Sequence, residues 1–215
     1  MNLTIDEKLH EAIPSFSVVA YTMEVINQSS NEVENLLRQT EVKYRDLCDL
    51  LDVVNLPKIK DARDGYKKLG KDPSRYRLAT EALIRRVIRG IKLYRLGDLI
   101  DLGNILSIET RRSICVVDLD KIEGDVLIRI GNQTDYFEAI NRGPLNIDKI
   151  PVYTDNLGPF GTPTSDTYRT AVSDSTKRLL VMMICFNHEE KDLDEQLLIK
   201  LYQEFAQAKN MKKLM

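Results

Sequence analysis

The sequence predicts an α/β (α+β) fold, a single domain over residues 1–215 in which a mixed or mainly antiparallel sheet of about six to seven strands is packed by helices. Three observations carry this expectation. Segments with apolar residues at helical spacing alternate along the chain with short β-branched runs. At 215 residues, 43% hydrophobic and 30% charged, the chain can build one sizeable core, whereas two full domains would be a squeeze. Between Leu99 and Gly131, finally, a helix, a strand, a turn and a second strand are fixed by residue period alone.

Taken in order, Phe16 to Met23 reads as a first strand. Asn31 to Val53 reads as a long acidic helix whose buried stripe is Val33, Leu36, Leu37, Leu47, Leu50 and Leu51. Pro57 suits the first turn of a helix running to about Leu69, where Gly70 stops it. Asp72-Pro73-Ser74 is a turn, and Leu78 to Arg89 is a helix with Ala79, Leu83 and Val87 facing inward and Gly90 at its end. Gly97 to Thr110 forms the central helix, with Leu99, Leu102 and Leu106 on one face and Arg111-Arg112 suiting its cationic end. The strand Ser113 to Val117 ends in Asp118-Leu119-Asp120. Lys121 to Gly124 then turns the chain into a strand from Asp125 to Ile130. Tyr136 to Ile140 and Ile150 to Thr154 are further strands, and Asp155 to Tyr168 is a loop dense in Gly, Pro, Thr and Ser. Leu179 to Phe186 has the unbroken apolar character of a strand buried on both faces. A helix from Asp192 to Ala208, with Leu193, Leu197, Leu201 and Phe205 spaced by fours, closes the chain.

Composition excludes several classes. A net charge of −2 argues against a generally polybasic nucleic-acid binder, though it leaves local patches open. Cys48, Cys115 and Cys185 are odd in number and widely spaced, which suits neither a disulfide framework nor a zinc cluster. The N-terminus lacks a basic segment followed by an apolar core, and the longest apolar run is too short to span a bilayer. A cytoplasmic protein without membrane, metal or cofactor is the expectation. No P-loop or dinucleotide fingerprint occurs, and the only histidines, His10 and His188, lie near the ends, so a Ser-His or Cys-His pair has little support.

Four features can carry chemistry. Arg75, Arg77, Arg85, Arg86, Arg89, Lys92 and Arg95 face one acidic neighbour, Glu81, and can follow a phosphate backbone or merely form a solvated helix face. Tyr76 and Tyr94 interleave with them and can stack on a base or cover the edge of the core. Asn104 interrupts the apolar central helix beside the small Gly103, while Asp118 and Asp120 suit either a site or a turn. The segment Gly158 to Asp166 presents hydroxyls and backbone amides on a scaffold stiffened by proline.

The residues Asp101 and Asn104 on the helix, followed without a gap by Asp118, Asp120, Ile122 and Gly124, resemble a family pattern. In it D-x-x-N leads to D-x-D-x-I-x-G, as in the editing domain of the bacterial phenylalanyl-tRNA synthetase beta subunit, its combined third and fourth B domains. SRYRLATEALIRRVIRG before this stretch and GPFGTPTSD after it are similar to small free-standing relatives of that domain, and the likeness is strongest over residues 72–186.

The resemblance implies a protein that binds tRNA or aminoacyl-tRNA and hydrolyses a mischarged ester in trans. A non-catalytic RNA-binding module and a pocket for an amino-acid-like metabolite are the alternatives. It implies Asn104, Thr164 and Asp166 as catalytic, and Gly103, Cys115, Asp118, Gly161, Thr162 and Ser165 as substrate-binding. Arg75, Arg77, Arg85, Arg86 and Arg89 would hold tRNA, with Thr170 or Thr176 as further polar lining. Homo-oligomer formation is left open, and the length leaves no room for an ATP-using ligase core. Two positions depart from the pattern. Gly103 stands where the bacterial domains have Thr, and Ser113-Ile114-Cys115 stands where they have Pro-x-His, which predicts a roomier, less polar pocket.

Overall fold

The computed structural model describes residues Met1–Met215. In chain order the elements are β1 (Leu3–Ile5), α1 (Glu7–Ala12), β2 (Ser17–Glu24), α2 (Asn31–Tyr44), α3 (Pro57–Lys68), α4 (Ala79–Ile88) and α5 (Asp98–Thr110). There follow β3 (Ser113–Asp118), β4 (Val126–Ile130), β5 (Glu138–Ala139), β6 (Gly143–Pro144), β7 (Pro151–Asp155), β8 (Gly158–Gly161), β9 (Arg178–Cys185), α6 (Lys191–Phe205) and β10 (Lys209–Lys213). The α/β class and the mainly antiparallel pairing hold. The strands, however, are divided between two four-stranded sheets, ordered β1-β4-β7-β8 and β10-β2-β9-β3, and a β5-β6 ribbon, with β1–β4 the parallel pair.

β9 is the axis of the second sheet. Seven of its eight residues are buried, as its unbroken apolar sequence requires, because helices cover one face and the first sheet and its turn cover the other. The two faces are told apart by alternation along β3. Val116 pairs in register with Val181, and Val181 with Tyr21; on this face Val116 meets Gly103 of α5, and Tyr21 Oη donates to Glu195 of α6. Ser113 and Cys115 point the other way, and Ser113 Oγ donates to the Pro163 carbonyl at 2.9 Å.

Several elements differ from the sequence expectation. α2 stops at Tyr44, and Leu51 is 82% exposed rather than part of a stripe. Asp46, Asp49 and Asp52 would otherwise crowd the negative end of the helix, and the Leu50 carbonyl accepts instead from Arg85. A short 3-10 turn, Asp52–Asn55, then buries Val53. The expected loop after Asp155 forms a hairpin, β7–β8, entered through Gly158 at φ 111°; Pro159 is tolerated because β8 is the edge strand. In α6 Leu193 is exposed, and the inward residues are Asp194, Leu198, Leu201 and Tyr202. Spacing by fours drifts about 40° per step around a helix. Asp194, moreover, is drawn inward by Lys58 and Arg112 at 2.8 and 2.7 Å. In α4, likewise, Thr80, Glu81, Ile84 and Val87 are the buried residues, with Ala79 and Leu83 only half-buried.

No helix is long and apolar enough to cross a membrane. No group of three or more His, Cys, Asp or Glu side chains gathers in a metal-binding arrangement.

Candidate functional site

The turn after β8 is built by one hydroxyl. Thr162 Oγ1 accepts from the amides of Thr164 and Ser165 at 3.1 and 3.0 Å, and the Thr162 amide donates to the Ser165 carbonyl at 2.9 Å. The Pro163 carbonyl at its tip accepts from the Ala79 amide and from Ser113 Oγ, both at 2.9 Å, and so ties the turn to the start of α4 and of β3. Thr164 Oγ1 lies 3.0 Å from Tyr66 Oη of α3. The chain leaves the turn at Asp166, which bridges back to Gly161.

This construction sets Asp166 against the inward face of β3. Although Asp166 as a residue is half-buried, its Oδ1 is shielded from solvent and has no hydrogen-bond partner. Burial raises its carboxyl to about 7, opposed in part by the neighbouring Cys115 thiol. The thiol is pushed well above its ordinary value, first by burial and then by the Asp166 charge. Tyr153 Oη is also shielded and unbonded, and its pKa is driven up by the same burial. Cys115 and the turn residues Gly161, Thr162, Thr164, Ser165 and Asp166, more than forty positions later in the sequence, thus converge on one corner. Tyr66 and Tyr153 complete it, and no spacing in the sequence marks either one.

Other candidates lie elsewhere. Gly103 is on the α5 side of β3, where a Cβ would fall 2.6 Å from Val116 Cγ2 and 3.5 Å from Tyr202 Oη. The room expected from its missing side chain is therefore taken by Val116. Asn104 is half-buried on the same helix, and its side chain forms no hydrogen bond within the protein. Asp101 is fully buried, accepting from the Leu96 amide at 3.1 Å and pairing with Arg95; Asp98 beside it accepts from the Ser30 amide at 3.0 Å. Asp118 accepts from Thr176 Oγ1 at 2.7 Å and from the Asp120 amide at 3.0 Å, so its lone pairs are engaged at the far end of β3. Asp120 pairs with Arg178. Thr170 is fully buried with its hydroxyl unbonded.

The basic stretch divides in two. Glu81, 1% exposed, takes Arg63 and Arg85 at 2.8 Å and Arg77 at 3.2 Å. Arg85 also donates to the Leu50 carbonyl, so it is an internal brace. Arg75 and Arg89 are exposed and make no ion pair, and Arg86 bonds the Lys92 carbonyl while lying over Tyr94 at 4.3 Å. The Tyr76 ring is taken by Lys71 at 3.8 Å and Arg75 at 5.7 Å, which removes it as a free stacking platform.

Against known proteins, the B3/4 domain family model matches residues 61–198. The structure is similar to that of an N-terminal fragment of the phenylalanyl-tRNA synthetase beta subunit from Pyrococcus horikoshii, with a TM-score of 0.53 and 13% identity. The match covers 98% of this chain and 50% of that one, so the chain spans half the fragment's length, and at this identity the likeness is one of fold. None of the curated proteins compared matches the chain.

Proposed function

Because this chain belongs to the B3/4 domain family, related to the phenylalanyl-tRNA synthetase beta subunit, we propose that it binds aminoacyl-tRNA and hydrolyses a mischarged ester in trans. The observation that carries this reading is the Asp166 carboxyl, shielded, unpartnered at Oδ1 and raised to about 7. A base that exchanges its proton near neutrality, with a lone pair unengaged, suits activation of water. As water attacks the ester carbonyl, Asp166 takes one of its protons, and the carbon–oxygen bond to the ribose breaks. The ribose oxygen recovers a proton, leaving free amino acid and deacylated tRNA. With their amides held by Thr162, Thr164 and Ser165 offer their hydroxyls as donors beside the reacting carbonyl, and Arg75, Arg86 and Arg89 provide contacts to phosphate. An aminoacyl ester is labile, so this set needs no triad.

A second reading, a tRNA-binding module without hydrolysis, draws on the same corner. Asp166 Oδ1 and Tyr153 Oη are closed off from solvent, so an ester reaches them only if the chain around them moves.

A deacylation screen over a panel of mischarged tRNAs, with tRNA affinity and binding of free amino acids measured alongside, separates the readings. Hydrolysis of at least one ester is expected, falling about 10²- to 10⁴-fold in Asp166→Asn with tRNA affinity retained. Binding without hydrolysis across the panel would leave the module. Failure of both, with a free amino acid bound, would leave a metabolite pocket.

A further inference from the structure

Tyr136, Glu138 and Tyr168 line a surface concavity of about 470 Å³, with Thr134, Leu157 and Pro159 among its other walls. We propose that this groove binds the guanidinium of an arginine side chain carried by a peptide partner. The proposal is independent of any chemistry at Asp166.

The aromatic content comes first. Tyr136 is 70% and Tyr168 58% exposed, and Leu157 beside them is 60% exposed. Single exposed apolar side chains are ordinary, but two tyrosines and a leucine around one hollow form a contiguous patch of the kind that marks recognition. Tyr168 is held in place. Its hydroxyl donates to Asn141 Oδ1 at 2.7 Å and accepts from the Asn141 amide at 3.2 Å, so its ring is ordered before any ligand arrives.

Charge then chooses the ligand. Arg169 is the one cation among the walls of the groove, and it is spent, as is Arg129 behind the lining Asp135. Arg169 makes two bonds to Asp155 at 2.8 and 2.9 Å, and Arg129 makes two to Asp135 at 2.7 and 2.8 Å. Glu138, by contrast, has no ion pair and only a 3.5 Å contact from Tyr136 Oη. A phosphate would meet an uncompensated carboxylate here and no free cation among the walls, whereas a cation would meet the carboxylate and two electron-rich rings. Guanidinium suits this better than ammonium, because it is planar, weakly hydrated, stacks on tyrosine and forks onto a carboxylate. A peptide suits it better than a free small cation, because Leu157 and Pro159 extend an apolar shelf that a lone guanidinium would leave bare.

The probe is an acetylated, amidated tripeptide, Gly-Arg-Leu, titrated calorimetrically against the whole chain and compared with its citrulline counterpart, which keeps shape and planarity but loses the charge. The arginine peptide should bind about tenfold more tightly than the citrulline peptide, and Glu138→Gln should remove that difference. Tyr136→Leu and Tyr168→Leu should each weaken both peptides several-fold; all three substitutions are at the surface, and circular dichroism checks the fold. Equal binding of the two peptides, or no binding of either, would overturn the proposal. So would binding of adenosine monophosphate that the tyrosine variants lose and Glu138→Gln keeps, which would make the groove a base-stacking site.

Discussion

Gly161 lies so close to Asp166 that a Cβ added to it would fall 2.7 Å from Asp166 Oδ1, and equally 2.7 Å from Cδ2 of Tyr153. The absent side chain lets the carboxyl close into a space shielded from water, and that shielding is the physical cause of its raised pKa.

The stability consequence has a definite sign. Between 3.8, the ordinary value, and about 7, the folded chain holds a proton at Asp166 that the unfolded chain has released. Stability from this group is full below the lower value, declines as pH rises through the interval and is gone above the upper one. At about 1.4 kcal/mol per unit, the loss is bounded at about 4 kcal/mol. Asp166→Asn keeps the shape and removes the titration. Urea unfolding should therefore show the variant gaining on the wild type between about pH 4 and about pH 7. A constant difference over that range would mean that the carboxyl is not buried.

Much of this arrangement is legible in the sequence, and the exceptions have physical causes. α5 and β3 are readable because both carry a period and are punctuated by Gly97 and by the Arg111-Arg112 pair. β8 is not, because Gly158, Pro159 and Gly161 carry turn chemistry that an edge strand tolerates. β10, Lys209–Lys213, is hidden for a related reason: lysines protect a sheet edge and leave no alternation. The turn from Thr162 to Asp166 is visible as a stiff polar loop, and the family resemblance picks out its residues. Its partners Tyr66 and Tyr153 are set by tertiary packing alone. The faces of β3 mislead most, since Gly103 and Cys115 look like neighbours of one cavity until alternation puts a strand between them.

That separation changes what Gly103→Thr should do. Restoring the family's residue would press a Cβ to 2.6 Å from Val116 Cγ2 in a packed interface, which small-to-large substitutions tolerate at a cost of about 1–3 kcal/mol. Thermal unfolding should shift down accordingly. Adding Val116→Ala should recover part of the loss, giving a coupling energy well outside additivity. If Gly103→Thr leaves the melting temperature unchanged, α5 and β3 are not packed through this contact.

The basic stretch permits a final test that separates bracing from binding. Glu81 is almost fully buried and is neutralised by Arg63, Arg77 and Arg85, so removing Arg85 strips one partner from a carboxylate that cannot reach water. It also frees the Leu50 carbonyl, to which Arg85 donates at 2.9 Å. Arg85→Ala should thus lower stability by about 1–3 kcal/mol. Arg86 and Arg89 lack such carboxylate partners, so Arg86→Ala and Arg89→Ala should leave the unfolding midpoint nearly unchanged. If these two follow tRNA phosphates, each substitution should flatten the log–log salt dependence of tRNA affinity by about 0.9. Arg85→Ala should leave that slope as it is wherever the protein is still folded. The reverse pattern, with the slope changed only by Arg85→Ala, would place the nucleic acid on the Glu81 side of α4 and sink the division drawn between these arginines.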